Sequence, residues 1–367
     1  MTASLSAAAI DPLRESLARL ARGKSQALTN LLHDVEVHTT IDGTRVVCHC
    51  HTLKLDAQGR PMVRDLVRVI CDQVLDFAIP RSRIAEAESE FLATRSTAKF
   101  ARLTVEARRL FTDLAQSGEG GELLLFVLAE RLLKLPQLLC KMSLKTNSRM
   151  HVHGADGLHA GVDDATGRLV LYWGESKIFA DGITAIRECL GSLAPMLLDD
   201  ANGGSASDRD LQLLQRHVDL DDAALEAALK AFLDVEGEHY NSVEFRGLCL
   251  VGFDCDAYPS AHCQSPTVVD LSTVVKRISE LLPKWKAQIK HRIQEEKLDV
   301  FGLHFICVPF PSADDFRARL REELDLAPAS PVAALEAVAS GDDAVRAAAV
   351  STATAKPARR KKSPEVS

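Results

Sequence analysis

No apolar run in this chain approaches the roughly 20 residues needed to cross a bilayer, so no membrane span is expected. The first residues, MTASLSAAAIDPL, lack the positive start and sustained apolar stretch of a secretory signal, and a cytoplasmic location is expected. Positive charge is also short, with 44 Lys and Arg against 51 Asp and Glu and a net charge of −7. A broad basic face that neutralises phosphates is the footprint of an autonomous, tight nucleic-acid binder, and this balance argues against one. It leaves room for a protein whose nucleic acid is delivered by a partner. No internal repeat of any period is visible. A structural zinc pattern is missing too: His151, His153 and His159 have no Cys pair to complete them. The nine cysteines are odd in number and sit mostly in apolar runs such as RVVCHCHTLKL and HFICVPF, which points to reduced thiols acting as small hydrophobes.

What is present is a chain of 367 residues, 46% hydrophobic and 26% charged, long enough for a full core and for two domains with tails. Residues 11 to 33 read as helix. VEVHTT and RVVCHCHTLKL then alternate as strands around the Asp42-Gly43 turn, a strong hairpin signal. Within the second strand Cys48-His49-Cys50-His51 sends its cysteines to one face and its histidines to the other, so one metal cannot easily collect all four. A helical stretch covers residues 62 to 78, Pro80 ends it, and 81 to 117 read as a long solvated helix or helix pair. Residues 1 to 95 are assigned to an N-terminal α/β domain of partner-binding or regulatory type.

From Gly118 the texture changes. GEGGELLLFVLAERLLKL opens a strongly apolar helix, and HVHGADGLHAGVD is joined by DATG to RLVLYWGESKIF, whose continuous apolar run is that of a buried central strand. Ile183, Ile186, Leu190, Leu193 and Leu197 follow at three-and-four spacing on an amphipathic helix. Further helix, the strand SVEFRGLCLVGFD, a long helix through Trp285 and the strand GLHFICVPFP complete a domain over 96 to 324. Residues 325 to 367 form a low-complexity tail of disordered type, ending in the basic run Arg359, Arg360, Lys361 and Lys362.

Phosphodiester hydrolysis needs a divalent cation to polarise the phosphoryl oxygen and activate water, and carboxylates are the hard ligands that Mg²⁺ prefers, with Mn²⁺ as the other candidate. In Glu175-Ser176-Lys177 the strand period puts a carboxylate and an ammonium on one side of the sheet. Asp156, on the strand that hairpins back, can converge on the same spot. Gly154, Gly157 and Gly174 beside these residues would leave room for a metal and a phosphate. Glu122 shares a helix stripe with Leu125, Phe126, Ala129 and Leu133, opposite Arg131, and a carboxylate there needs a partner such as a metal. Glu119, one turn earlier, serves the helix N-terminus. The catalytic candidates are therefore Asp156, Glu175 and Lys177, and the metal candidates Glu122, Asp156 and Glu175.

Asp156 followed by Glu175-x-Lys177, with helices before and after, resembles the PD-(D/E)xK restriction-endonuclease-like superfamily, although Ala155 stands where its name-giving proline would be. More closely, GEGGELLLFVLAE, HVHGADGLHAGVD and LVLYWGESKIF resemble the HamA-like effector nucleases of the Hachiman antiphage system over residues 100 to 310. That resemblance implies a mixed central sheet flanked by helices, a Mg²⁺-dependent DNA nuclease and a superfamily 2 helicase as partner. It also implies Glu122, Asp156 and Glu175 as ligands and Lys177 as the catalytic lysine. Two alternatives stay open: a non-catalytic adaptor that docks a helicase, and a nuclease directed at RNA. Lys141 and Lys145 default to solvent, and Lys284, Lys286, Lys290, His291 and Arg292 form a locally basic helix that could meet nucleic acid.

Overall fold

The Asp42-Gly43 turn joins the two alternating segments as expected: β1 (Leu32–Thr40) and β2 (Val46–Leu53) pair antiparallel, with Gly43 at φ +73°. This is a computed structural model, and it describes residues 7–111, 118–145, 154–198, 206–234, 236–237, 242–259 and 270–326. The basic tail and residues 325 to 367, apart from Asp325 and Leu326, lie outside the described residues, as do His151 and His153.

β2 does not end in a separate small domain. It pairs parallel with β6 (Leu303–Phe310), which pairs parallel with β5 (Val243–Asp254), then β4 (Leu169–Phe179), and finally antiparallel β3 (Gly157–Val162). The result is one six-stranded mixed sheet in the order β1-β2-β6-β5-β4-β3, flanked by helices. The segment up to residue 95 thus supplies the two strands at one end of the sheet that holds the candidate site. One core runs from Leu13 to Leu324 without a break at that boundary. Buried Glu130 reinforces the join, accepting hydrogen bonds from the Arg22 backbone at 2.6 Å and the Arg22 side chain at 2.9 Å.

The single long helix expected over 11 to 33 divides into α1 (Ala7–Leu20) and α2 (Gln26–Leu31), and the 62 to 78 stretch into α3 (Val63–Cys71) and α4 (Val74–Ala78). The segment from 81 is a helix pair, α5 (Arg81–Thr94) and α6 (Ala98–Arg109), with Arg95 left-handed between them. Parallel neighbours need crossovers, and two helices supply them. α8 (Gly182–Leu197) links β4 to β5, capped by Asp181, whose carboxylate accepts from Thr184 N at 2.7 Å. It buries Ile186, Leu190, Leu193 and Leu197 against the sheet but leaves Ile183 39% exposed, so the apolar stripe begins one turn later than the spacing suggested. α11 (Leu271–Glu295) links β5 to β6 and packs against α8, burying Val274, Ile278, Leu282, Trp285, Ile289 and Ile293. α9 (Ala206–His217) and α10 (Ala223–Phe232) follow α8. The opposite layer holds α7 (Glu119–Leu128) and α12 (Ala313–Glu323). α12 was not foreseen from sequence. It is capped by Ser312 and anchored by buried Phe316 and Leu320.

Candidate active site

β3 and β4 form a hairpin whose last ladder pair at the β3 start is Gly157 with Gly174. Asp156 stands just before β3, and its N–H donates to Gly174 O at 2.8 Å. β4 runs on through Glu175 to Phe179, beyond the start of β3. The Ser176 N–H on that edge is satisfied by Asp156 itself: Asp156 Oδ2 accepts from Ser176 N at 2.8 Å and from Ser176 Oγ at 2.7 Å. Asp156 therefore meets the middle residue of the Glu-Ser-Lys triplet, a partner that the sequence reading did not single out.

The pleat then divides the set. Ser176 and Ile178 face α7, where a methyl group on Gly121 would come within 2.9 Å of Ser176 Oγ and 3.5 Å of Ile178 Cγ1. Glu175 and Lys177 face α8. There the Glu175 backbone oxygen accepts from the Cys189 thiol at 3.4 Å. Lys177 forms an ion pair with Glu175, as the period of two requires. Burial, with the negative charge of Asp156 nearby, pushes the Glu175 carboxyl up to about 7 in spite of Lys177. Burial opposes the Lys177 charge, but Glu175 and Asp156 hold its pKa above the ordinary value.

On the α7 side, Glu122 is half-buried in the first turn, and no hydrogen bond or ion pair reaches its carboxylate among the described residues. Burial, then the charges of Asp156, Glu119 and Glu175, raise its pKa well above the usual carboxylate range against the pull of Lys145. Asp156 is raised by burial as well, opposed by Ser176, Lys177 and Lys141. Three carboxylates thus share one neighbourhood and disfavour each other's ionised form. In kind, this all-oxygen set fits a hard divalent cation. In placement it is spread over both faces of β4, and no group of three His, Cys, Asp or Glu encloses a metal position among the described residues.

A cleft of about 460 Å³ lies on the α7 and α12 side, lined by Asp156, Ser176, Lys177, Arg317, Arg321 and the glycines that open α7. A larger cleft of about 1600 Å³ opens at the C-terminal ends of β4 to β6 beside Trp285, but none of the four candidate residues lines it. Of the four candidates, Asp156 and Lys177 line the smaller cleft and Glu122 and Glu175 do not; we place the site at that cleft on the first two.

Compared with families of known proteins, residues 26–324 match HamA. The chain belongs to the HamA family. These are the proteins of Hachiman antiphage defence, and the match takes in both the β1-β2 hairpin and the segment from Glu122 to Lys177. No curated protein matches. Among the described residues of this HamA chain, no helix is long and apolar enough to cross a membrane.

Several expectations for the HamA chain are corrected by packing. The glycines near the site make room for protein, not ligand. A methyl on Gly154 would lie 2.3 Å from Asp210 Oδ1, one on Gly157 2.8 Å from His159 Nε2, and one on Gly174 3.0 Å from Leu125. Arg131 is not on an outer face but buried, because α7 is covered on nearly every side and widens into a π-turn over Ala129–Leu133. Lys141 and Lys145 are buried, the first bound to Asp210 and the second to Glu119. His159 is buried with Nδ1 bonded to Leu135 O at 2.9 Å, away from any cluster. Much of the basic surface of α11 is consumed internally: Lys286 pairs with Glu36, Lys290 donates to Asp42 O at 2.7 Å, and Arg292 pairs with Glu295 and Glu296, while Lys284 stays exposed at the larger cleft. In place of these, α12 brings Arg317 and Arg321 to the cleft. Their i, i+4 spacing, alongside Phe316 and Leu320 after the Ser312 cap, was the available signal. The eight described cysteines are free, and β2 alternates as expected, with His49 Nε2 3.0 Å from His304 Nδ1 on the face away from the thiols.

Proposed function

We propose that this HamA protein is a metal-dependent nuclease that acts on DNA as the effector of Hachiman defence together with a superfamily 2 helicase. The observation that carries this reading is the Glu175–Lys177 ion pair set beside Asp156 at the free edge of β4, with Glu175 near neutrality at about 7. Asp156, with Glu122 and Glu175, would hold Mg²⁺ or Mn²⁺, and such an ion supplies Lewis acidity at a phosphoryl oxygen and a more acidic water. Ser176 orients Asp156. Lys177 keeps a positive charge where negative charge develops on a phosphoryl group, and Glu175, raised to about 7 by burial and Asp156, would give up its proton on holding the cation. Arg317, held by Asp314 and the Ile178 carbonyl, and Arg321 line the cleft and present positive charge to backbone phosphates. The net charge of −7 is consistent with DNA reaching the cleft through the helicase.

The test is plasmid degradation in Mg²⁺, with and without the helicase partner. Glu175→Ala and Lys177→Ala are each expected to reduce cutting by about a hundredfold or more while circular dichroism stays unchanged. Full activity in both variants rejects the assignment, and an RNA substrate in parallel decides the sugar preference. One observation favours a non-catalytic adaptor instead: Asp156 already serves the β4 edge, and no three carboxylates enclose a metal position among the described residues. Full phage protection by Glu175→Ala, with no cutting under any metal or partner condition, establishes that second reading.

A further inference from the structure

We propose that the buried Lys141–Asp210 ion pair, reaching in from α9, is the positioning device for Asp156. The proposal rests on the nuclease reading of Asp156. Asp210 is fully buried and Lys141 is 8% exposed. Lys141 Nζ donates to Asp210 Oδ1 at 2.8 Å and to Ala155 O at 2.7 Å, while Asp210 Oδ2 accepts from Ala155 N at 2.9 Å. Both backbone polar groups of the residue before Asp156 are thus held by charged partners, and such hydrogen bonds are stronger than neutral ones. The peptide between Ala155 and Asp156 is pinned at its oxygen by Lys141 and at its N–H by Gly174 O. This leaves the Asp156 carboxylate little choice but the direction of Ser176.

Gly154 completes the device. Its φ is +116°, and a methyl group there would lie 2.3 Å from Asp210 Oδ1 and 2.7 Å from Lys141 Nζ. Only glycine lets the pair approach so closely. A buried ion pair is a weak source of stability, since well-packed apolar residues in its place are often equal or better. Its retention here is explained by what it aims. Lys141, Ala155 and Asp210 come from three separate segments of the chain, so α9 takes part in the site without touching it.

The full chain is tested with Asp210→Asn, which keeps an acceptor and the shape but loses the charge, and with Lys141→Met combined with Asp210→Leu, which removes both charges. Three quantities are read: the thermal midpoint, amide exchange at Ala155 and Asp156, and plasmid cutting against Mg²⁺ concentration. The double variant is expected to melt close to the wild type, to exchange the Ala155 amide about tenfold faster or more, and to cut about 10- to 100-fold less or need that much more Mg²⁺. Asp210→Asn is expected to fall between the two. Wild-type cutting, or wild-type protection of the Ala155 amide, in the well-folded double variant would make the pair merely structural and overturn the proposal. If the wild type itself cuts nothing, the nuclease reading fails, and the exchange measurement still decides whether the pair holds Asp156.

Discussion

Two buried polar clusters lie in the same sheet and have opposite characters. At the β3-β4 end, Glu122, Asp156 and Glu175 gather with Lys177, and Glu175 is left at about 7. At the β2-β6 end, His49 and His304 face each other, and burial followed by neighbouring charge drives them down to about 3 and about 4. Both clusters are desolvated, and desolvation always favours the neutral form. For acids opposed by a lysine, that leaves a group poised to change protonation near neutral pH. For imidazoles beside other imidazoles and Arg246, it leaves neutral rings far from any such change. The contrast teaches that burial of titratable groups marks a candidate site only where opposing charges return them to the working range.

The largest expected effect separates the two clusters outright. Glu175→Gln should reduce Mg²⁺-dependent cutting by about a hundredfold or more, whereas His304→Gln should leave cutting within about threefold at neutral pH. An equal loss in both folded variants would erase the distinction.

Next in size is acid stability. The folded pKa values of His49 and His304 lie below the ordinary 6.5, so the unfolded chain takes up their protons first. Their contribution is present above 6.5 and is lost as pH falls from there, toward about 4 for His304 and about 3 for His49. Urea melts should register a loss on the order of a few kcal/mol over that window. A His49→Phe variant should flatten the slope, and an unchanged slope would mean the ring pair is not buried in solution.

A smaller signal comes from proton release. With Glu175 at about 7, roughly half of it is protonated at neutral pH, and a bound cation would expel that proton. Calorimetry of Mg²⁺ binding in buffers of different ionisation enthalpy should therefore show a fraction of a proton released in the wild type and less in Glu175→Gln. The smallest effect belongs to α11, where Lys286→Ala should alter stability by no more than about 1 kcal/mol and leave DNA affinity unchanged. A clear drop in affinity in a mobility-shift assay would return that helix to the nucleic-acid interface.

Much of this arrangement was legible locally. The β3-β4 hairpin, the Glu175–Lys177 pairing and the alternation of Cys48, His49, Cys50 and His51 all follow from a period of two and a turn. The Asp181 cap and most of the α8 stripe were equally plain. Less legible was anything that depends on a distant partner. Lys141 reads as a solvent-facing lysine until Asp210 is brought to it, and the open space beside Gly154 reads as a ligand gap until α9 fills it.

By itself the sequence determined the strands, most of the helical segments, the triplet and the absence of a long apolar span, because these are set by neighbours along the chain. Tertiary structure alone decided that β1 and β2 share the sheet of the candidate site, that α12 carries arginines into its cleft, and that Glu122 and Glu175 stand on opposite faces of β4 around Asp156. Side-chain direction within an element is fixed by backbone periodicity, whereas the neighbour it meets is fixed by which elements bury their apolar faces together.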